Sequence, residues 1–492
     1  MLMPKLDDRT ALIVDSKKDP IALSIFLLED NPGLIKCENN LYLYNGKCYD
    51  LISSSDILAM LHRFLMDYGI TSAWTKRNDI VQSVYAYSKL PVVKKMNDYV
   101  DLMCVNNGIV NINTKEMMPH SPSFYFDSVI NVDYNPEQTE CPAFLSYLRH
   151  TFNNDEDTIA NAIMLGGYLL DSGCEAKKMF IFNGSGGNGK SVLIDTFSMF
   201  FSDASTRPQI TSISLTDLSG DKFKKYDLIT SRVNLSSEEK KGYIDSEEIK
   251  KIISGELINV RGIYKETVTF RPKTKLVVAV NNLFKFTDTS DGTARRLIIF
   301  NFLNQYKDPA EIALIKFADQ KKLYPWDLEL PNKIKEERSA ILNLFITGLI
   351  KLKERKYQFI IGDAYQKAME DYRRDSDTVR EFLEDNYEIN MDAETPIIDI
   401  YNHYRFWYRA NVQDSSLMKF RVNEMARRLK DIFGVESNNR KPFYNKETQE
   451  WEKLSTYPIK RIIIEGEPVV DTIEEEPVIT QLKANFGGEV IK

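Results

Sequence analysis

The chain of 492 residues is too long for a single hydrophobic core, and we expect about three domains. Its hydrophobic content of 43% and charged content of 27% are typical of a globular protein in water, and no apolar run approaches the roughly 20 residues of a membrane helix. Scattered cysteines without a C-x-x-C pair favour a reducing cytosol over disulfides or a zinc site, and the net charge of −7 does not exclude a locally positive nucleic-acid channel.

The first 122 residues mix strand and helix patterns. Asn45-Gly46 separates two strand-like runs, which is a strong hairpin signal, and the stretch from Ile57 to Tyr68 has helical spacing. We find no group of acids and histidines that would form a polymerising site here, so we interpret the region as structural. Two helical patterns follow between residues 141 and 170, with turn residues at Asn154 and Asp155, and predict a helical collar or lid.

A glycine-rich stretch fits the phosphate-binding pattern G-x-x-x-x-G-K-[ST] at every fixed position. An apolar run at residues 179–182 predicts a buried strand before it, and an amphipathic helix pattern follows it. Backbone N–H groups of such a loop surround phosphate oxygens, Lys190 reaches the terminal phosphates, and the Ser191 hydroxyl can ligate Mg²⁺. An ordinary glycine-rich turn is the weaker interpretation. The predicted nucleotide-binding residues are Gly184, Ser185, Gly186, Gly187, Asn188, Gly189, Lys190, Ser191 and Val192.

Acidic residues follow the next strand-like stretch, residues 227–235. Glu238 and Glu239 come where a P-loop ATPase places its magnesium-binding and water-activating carboxylates. We predict Glu238 as the general base, Glu239 as a second candidate, and Ser191 with Glu238 as magnesium ligands. Because Glu-Glu-Lys-Lys is also typical of a solvated helix start, that structural interpretation stays open.

Three further polar residues flank two later strand patterns. Asn281 follows the apolar run 275–280, where its amide can hydrogen-bond the terminal phosphate and the attacking water. Arg295 and Arg296 precede another strand, and a permanently charged guanidinium suits the transition-state phosphate of a neighbouring subunit. We therefore predict an arginine finger, with an unrelated salt bridge as the alternative for either arginine. The predicted catalytic residues are Lys190, Glu238, Glu239, Asn281, Arg295 and Arg296.

The order of these motifs resembles that of superfamily 3 helicases, in the branch of phage, plasmid and poxvirus primase-helicases. In the predicted ATPase core, the matching segments are residues 235–239, 249–256, 280–282 and 295–296. Upstream of the core, four segments are similar to the helicase-associated N-terminal domain: residues 106–111, 119–122, 134–136 and 141–142. The resemblance implies a hexameric AAA+ ring that moves along single-stranded DNA by hydrolysing ATP with Mg²⁺.

Ser237 departs from the family pattern, in which Asp often stands before the residue that corresponds to Glu238. Full primase-helicases place a polymerising domain ahead of the collar; the chain begins too late to hold one, so we expect no priming activity.

The resemblance also supplies the expected domain order, an α/β protein with an AAA+ P-loop ATPase core. The predicted domains are a mixed α/β N-terminal domain at 1–122, a helical collar at 123–175, the superfamily 3 ATPase core at 176–354, a helical linker at 355–388, a winged-helix DNA-binding domain at 389–470 and a mobile acidic tail at 471–492.

Two regions are predicted to contact DNA. The family's DNA hairpin corresponds to residues 259–270, with Tyr264 available to stack on a base and Lys265 near the tip to contact phosphate; an exposed structural hairpin is the alternative. In the C-terminal segment a helix pattern at 415–433 carries Lys419, Arg421, Arg427 and Arg428, which suit fork or duplex DNA, although they could simply form a solvated face. We expect Thr395-Pro396 to start the helix before it, and residues 441–445 to pair with a strand at 457–464.

The prediction for the whole chain is an ATP-dependent DNA helicase that works as a ring during replication of a phage, plasmid or mobile element. The alternative is a non-unwinding, ATP-dependent replication initiator or loader. Expected partners are single-stranded and fork DNA, further copies of the chain in a hexamer, and a separate primase or polymerase, in the cytoplasm of a bacterial host and without a membrane.

Overall fold

A computed structural model of the chain describes residues 8–15, 19–37, 40–70, 77–87, 89–201, 209–237, 243–263, 267–287, 291–315, 322–412, 420–438, 441–445 and 450–462. The chain divides into two compact units, Met1–Ser376 and Asp377–Lys492. The finer domain boundaries given above stay predictions. None of the helices in these described ranges combines the length and the apolar character that a membrane crossing requires.

The N-terminal part of the first unit contains two small sheets covered by helices. Its elements are α1 (Asp8–Asp15), α2 (Pro20–Glu29), β1 (Leu34–Cys37), β2 (Asn40–Tyr44), β3 (Tyr49–Ile52), α3 (Ser54–Asp67), α4 (Arg77–Ala86), β4 (Val92–Val93), β5 (Leu102–Val105), β6 (Gly108–Asn111) and β7 (Met117–Met118). The strands form the sheets β3-β2-β1-β4 and β5-β6-β7. The predicted hairpin is confirmed, since Tyr44 pairs with Tyr49 and Gly46 supplies a φ of +97° in the turn.

A helical layer follows. It begins with α5 (Pro142–Thr151) and α6 (Glu156–Leu170), after a short 3-10 turn at Pro122–Phe124. The predicted pair of helices is therefore confirmed. Helix α6 packs closely against a helix far along the chain, residues Arg338–Glu354, because Gly166, Gly167 and Gly348 lie at the contact. A Cβ atom on Gly167 would lie 2.3 Å from the Phe345 carbonyl oxygen, so a larger side chain there would push the two helices apart.

The centre of the first unit is a parallel sheet with helices on both faces. Its elements are β8 (Met179–Asn183), α7 (Lys190–Ser198), β9 (Ile210–Thr211), α8 (Leu215–Gly220), the 3-10 segment Lys224–Ile229, β10 (Val233–Ser237), β11 (Tyr243–Ile244), α9 (Ser246–Ser254), β12 (Ile258–Arg261), β13 (Thr267–Phe270), β14 (Lys275–Val280), β15 (Lys285–Phe286), α10 (Asp291–Ala294), β16 (Leu297–Asn301), β17 (Gln305–Lys307), α11 (Pro309–Ala313), β18 (Leu323–Pro325), α12 (Leu330–Glu336), α13 (Arg338–Glu354) and α14 (Asp363–Asp375).

Five of these strands form the parallel sheet, in the order β16-β8-β14-β10-β9. Side chains of β8 point alternately to two cores: Phe180 and Phe182 pack in one cluster, and Met179 and Ile181 in the other. A strand covered on both faces needs apolar residues at every position, which explains the continuous apolar runs in the sequence. The predicted α/β class, built on a P-loop sheet, is confirmed.

A short hairpin stands beside this sheet. Strands β12 and β13 pair antiparallel, from Ile258 with Phe270 to Arg261 with Thr267. This agrees with the hairpin expected at residues 259–270. Its tip, with Tyr264 and Lys265, lies outside the described residues.

The second unit is a small mixed domain. Its elements are α15 (Thr378–Asn386), β19 (Tyr387–Ile389), β20 (Thr395–Pro396), α16 (Ile397–Asn411), α17 (Val422–Phe433), β21 (Lys441–Asn445), β22 (Glu450–Leu454), β23 (Thr456–Tyr457) and β24 (Ile459–Arg461). Buried Phe382 and Tyr404 contact each other in its aromatic core, with ring centroids 5.2 Å apart and the rings tilted by 60°.

Three expectations for this unit were wrong in detail. The helix expected at 415–433 begins only at Val422, because Arg421 and Glu424 form a capping box at that point. Strand β21 pairs with β22, whereas residues 456–461 pair with β20 and β19 instead. A hairpin between neighbouring segments closes a shorter loop and so costs less conformational entropy than the pairing we expected. Thr395-Pro396 lies in β20, paired with residues 456–457, so α16 begins one residue later than expected, at Ile397. The winged-helix assignment stays a prediction.

Candidate nucleotide-binding site

The phosphate-loop motif forms a tight loop between β8 and α7. Gly186, Gly187 and Gly189 have φ angles of +96°, +60° and +88°, a region that residues with a side chain rarely adopt. A Cβ atom on Gly184 would lie 2.8 Å from the Phe302 carbonyl oxygen. The glycines of the motif are therefore required by the backbone path of the loop itself.

Neighbouring segments hold the loop in place through hydrogen bonds. The backbone N–H of Tyr306 donates to the Gly187 carbonyl oxygen at 2.6 Å, and the Tyr147 hydroxyl donates to the Gly189 carbonyl oxygen at 2.8 Å. Tyr147 lies in α5 and is 5% exposed. These contacts hold two carbonyl groups of the loop from neighbouring segments of the chain.

Lys190 is the first residue of α7, and its side chain turns back into the loop. Its ammonium donates to the Gly184 carbonyl oxygen at 2.6 Å, to Asn188 Oδ1 at 3.0 Å and to Asn281 Oδ1 at 3.3 Å. Burial lowers the pKa of Lys190, because the charged form loses hydration. All three of these acceptors are neutral, so they leave the positive charge uncompensated.

A cavity of about 440 Å³ opens in front of the loop. This is within the range of roughly 300–1,000 Å³ that small-molecule sites occupy. The cavity brings together Lys190, Ser191, Ser237 and Asn281, as the sequence predicted for Lys190, Ser191 and Asn281. The convergence follows from the sheet, since β8, β10 and β14 lie side by side and end at the same edge. Glu238 and Glu239 follow β10 directly in the sequence but lie outside the described residues.

A further part of the cavity wall was not predicted. It is built from Tyr147, Tyr306, Trp326, Asp327 and Leu330. These residues come from α5, β17, the turn before α12 and the first residue of α12, far from the motif in the sequence. No local pattern marks them; only the packing of α5 and the β17-β18 pair against the loop reveals them.

The two candidate arginines lie away from this cavity. Strand β16 is paired in register with β8, so Arg296 precedes the amino end of the strand while the phosphate loop follows the carboxyl end of β8. The four steps from Leu297 to Asn301, at roughly 3.3 Å each, separate the amino edge of the sheet from its carboxyl edge by about 13 Å. The structure therefore does not bring Arg295 or Arg296 to the nucleotide cavity of its own chain.

The two arginines differ in their surroundings. The guanidinium of Arg296 is half-buried and donates to the Gly292 carbonyl oxygen and, at 3.4 Å, to Ser254 Oγ. Burial, together with the nearby charge of Arg295, lowers the pKa of Arg296. Arg295 is exposed, and its carbonyl oxygen accepts a hydrogen bond from Lys178.

The predicted DNA contacts of the second unit also differ among themselves. Arg421 and Arg427 are exposed on α17 or at its start. Arg428 instead forms an ion pair with Asp377 within the same unit. Lys419 lies outside the described residues.

Comparison with protein families gives two matches. Residues 72–153 match the family described as D5 N terminal like, and residues 182–296 match a family of unknown function (DUF5906). The chain is also 24% identical over 326 residues to "Putative helicase L207/L206" of Acanthamoeba polyphaga mimivirus. That alignment covers 63% of the chain and 31% of the viral protein, so the chain spans about a third of that relative.

These similarities support a relationship to the phage-type primase-helicases. This confirms the resemblance identified from the sequence motifs. Two solved apo structures of the NrS-1 C-terminal region are similar to the chain. The A form has a TM-score of 0.47 and 12% sequence identity, and the match covers 89% of this chain and 98% of that chain. The structure of residues 305–718 has a TM-score of 0.45 and 11% sequence identity, and the match covers 90% of this chain and 100% of that chain. The phosphate loop lies in the segment, residues 182–296, that matches the family of unknown function.

Proposed function

We propose that the chain is an ATP-dependent DNA helicase that translocates along single-stranded DNA as a ring during replication of a phage, plasmid or mobile element. One observation carries the proposal. The buried Lys190 ammonium is held in a preorganised phosphate loop by neutral oxygens, beside Asn281. Phosphate oxygens can replace those neutral partners and compensate the charge, which favours a nucleoside triphosphate as the ligand.

The residues at the cavity have distinct proposed roles in hydrolysis. Lys190 stabilises charge that develops on the terminal phosphate, and the Asn281 amide orients the attacking water. Glu238, or Glu239 as the second candidate, accepts the proton of that water. Ser191 lines the cavity and, with Glu238, would hold Mg²⁺, which when bound neutralises charge on the phosphates. A hydroxyl and one carboxylate suit Mg²⁺, which keeps several water and phosphate ligands.

Hydrolysis in this scheme requires a second copy of the chain. Because Arg295 and Arg296 stand at the far edge of the sheet, either can reach a nucleotide only in a neighbouring subunit. Arg295 is the better finger, since Arg296 is anchored by Gly292 and Ser254 whereas Arg295 is exposed. We therefore infer a homo-oligomer, most simply a hexameric ring, with ATP between subunits.

DNA contact is assigned to two regions. The hairpin β12-β13 would carry Tyr264 and Lys265 at its tip into the channel of the ring, to stack on bases and contact phosphates. Lys419, Arg421 and Arg427 of the second unit would contact fork DNA. Arg428 is a weaker candidate because its pairing with Asp377 must break first. A separate primase or polymerase would complete replication in the host cytoplasm.

The test is steady-state ATP hydrolysis with and without single-stranded DNA. Lys190→Ala should abolish hydrolysis under both conditions, because the terminal phosphate loses its cation. Lys265→Ala should keep basal hydrolysis and lose the stimulation by DNA, and the salt dependence of DNA binding should flatten by about one counterion per protomer. Wild-type hydrolysis by Lys190→Ala would refute the nucleotide site; full stimulation of Lys265→Ala would refute only the channel hairpin.

A further inference from the structure

The part of the cavity wall that includes Trp326 and Asp327 has a chemistry of its own. We propose that Trp326 and Asp327 form the nucleoside subsite of the cavity: the Trp326 ring stacks on the base, and the Asp327 carboxylate accepts a hydrogen bond from the ribose 2′-hydroxyl. This inference rests on the proposed function, because it requires a triphosphate on the loop.

The position of this wall relative to the loop is fixed by the backbone. The N–H of Trp326 donates to the Lys307 carbonyl oxygen at 3.0 Å, at the end of the β17-β18 pair. One residue earlier in β17, the N–H of Tyr306 donates to the Gly187 carbonyl oxygen at 2.6 Å. Strand β17 thus hydrogen-bonds both to the phosphate loop and to Trp326. The nucleoside of a nucleotide whose phosphates bind the loop would therefore lie near Trp326.

Trp326 is suited to stacking. It lines the cavity and is still 46% exposed, although an indole ring gains free energy by covering its faces. Leu330 and Ile194 add apolar surface to the same cavity. Every base has a π face, so stacking holds different bases with similar strength. The subsite should therefore bind ATP and GTP with similar affinity.

Asp327 is suited to accept from a hydroxyl. Its Oδ2 accepts from Lys333 Nζ at 2.8 Å, and its Oδ1 accepts from the N–H of Glu329 at 3.0 Å, so the carboxylate has a fixed orientation. The hydrogen bond with Lys333 lowers the pKa of Asp327, which keeps the group ionised and acceptor-only near neutral pH. A carboxylate oxygen has room for a second donor, which the ribose 2′-hydroxyl supplies and 2′-deoxyribose lacks.

The experiment measures equilibrium binding of ATP, GTP, dATP and inorganic tripolyphosphate, each with Mg²⁺, to the full chain. Trp326→Ala should weaken ATP and GTP binding about tenfold and leave tripolyphosphate binding unchanged, since stacking on an aromatic side chain contributes about that factor per base. Trp326→Phe should retain most of the affinity. Asp327→Ala should bring the affinities for ATP and dATP closer together. Leu328→Ala is the matched control, because Leu328 is 74% exposed in the same turn and is not among the residues lining the cavity.

The outcomes separate this subsite from the function that it extends. ATP binding by Trp326→Ala at the wild-type level, or an equal loss for tripolyphosphate, would overturn the stacking role while leaving the phosphate loop intact. An unchanged preference between ATP and dATP in Asp327→Ala would overturn the ribose contact. A wild-type chain that binds neither ATP nor tripolyphosphate would overturn the proposed function, and the subsite with it.

Discussion

Replacement of Tyr147 by Phe tests whether α5 organises the phosphate loop. The substitution removes one hydroxyl, which donates to the Gly189 carbonyl oxygen at 2.8 Å from a side chain that is 5% exposed. A buried neutral hydrogen bond contributes about 1 kcal/mol, so the free energy of unfolding should fall by about that amount. Part of the loss should appear in binding, because Gly189 directly precedes Lys190 and the loop would have to be ordered by the nucleotide. We expect ATP affinity to fall by up to about fivefold, which corresponds to the same 1 kcal/mol.

Tyr134→Phe provides the matched control. The Tyr134 hydroxyl donates to Asn343 Oδ1, also at 2.8 Å, and the side chain is 2% exposed, but neither residue lines the nucleotide cavity. Urea unfolding without ligand should show a similar loss for both variants, whereas ATP titration should show weaker binding for Tyr147→Phe alone. Equal ATP affinities in the two variants would refute the reasoning that α5 preorganises the loop.

Three other substitutions probe chemistry, assembly and burial. Glu238→Gln should bind ATP and lose hydrolysis, as measured by nucleotide binding and phosphate release, because an amide cannot accept the proton of water; unchanged hydrolysis would move the base to Glu239. Arg295→Ala should lose hydrolysis. Mixing the Arg295→Ala and Lys190→Ala proteins should recover part of the hydrolysis, because some interfaces in a mixed ring combine an intact Lys190 from one subunit with an intact Arg295 from its neighbour. A mixture without recovered hydrolysis would argue against action in trans. Burial lowers the pKa of Lys275 to about 8, so its ionised form opposes folding fully below pH 8 and progressively less as the pH rises toward the ordinary lysine value near 10.4. Lys275→Met should therefore show its largest gain in unfolding free energy over wild type below pH 8; a gain that does not shrink between pH 8 and 10 would contradict this.

The central strands and the loop could be predicted because their sequence patterns are local. Residues 179–182 and 275–280 are buried on both faces of the sheet, so every position is apolar and the run is visible without tertiary information. The position of Asn281 beside Lys190 also follows from the sequence, because the carboxyl end of a predicted parallel strand defines the edge at which ligands bind.

The remaining features depend on contacts between distant segments. Tyr147 and Trp326 reach the cavity only because α5 and the β17-β18 pair pack beside the loop, and neither residue stands in a recognisable motif. The sequence likewise does not show that Arg428 pairs with Asp377, 51 residues earlier. The pairing of β21 was predicted wrongly because several short strand patterns follow one another, and pattern alone does not choose between partners.

Strand displacement on forked DNA tests the central claim most directly. A fork with a labelled strand is incubated with the full chain, with and without ATP, and with Lys190→Ala as the inactive control. We predict release of the labelled strand by the wild-type chain with ATP, and no release without ATP or by Lys190→Ala. Binding of the fork in an ATP-dependent manner without any release would contradict the helicase and favour the initiator or loader.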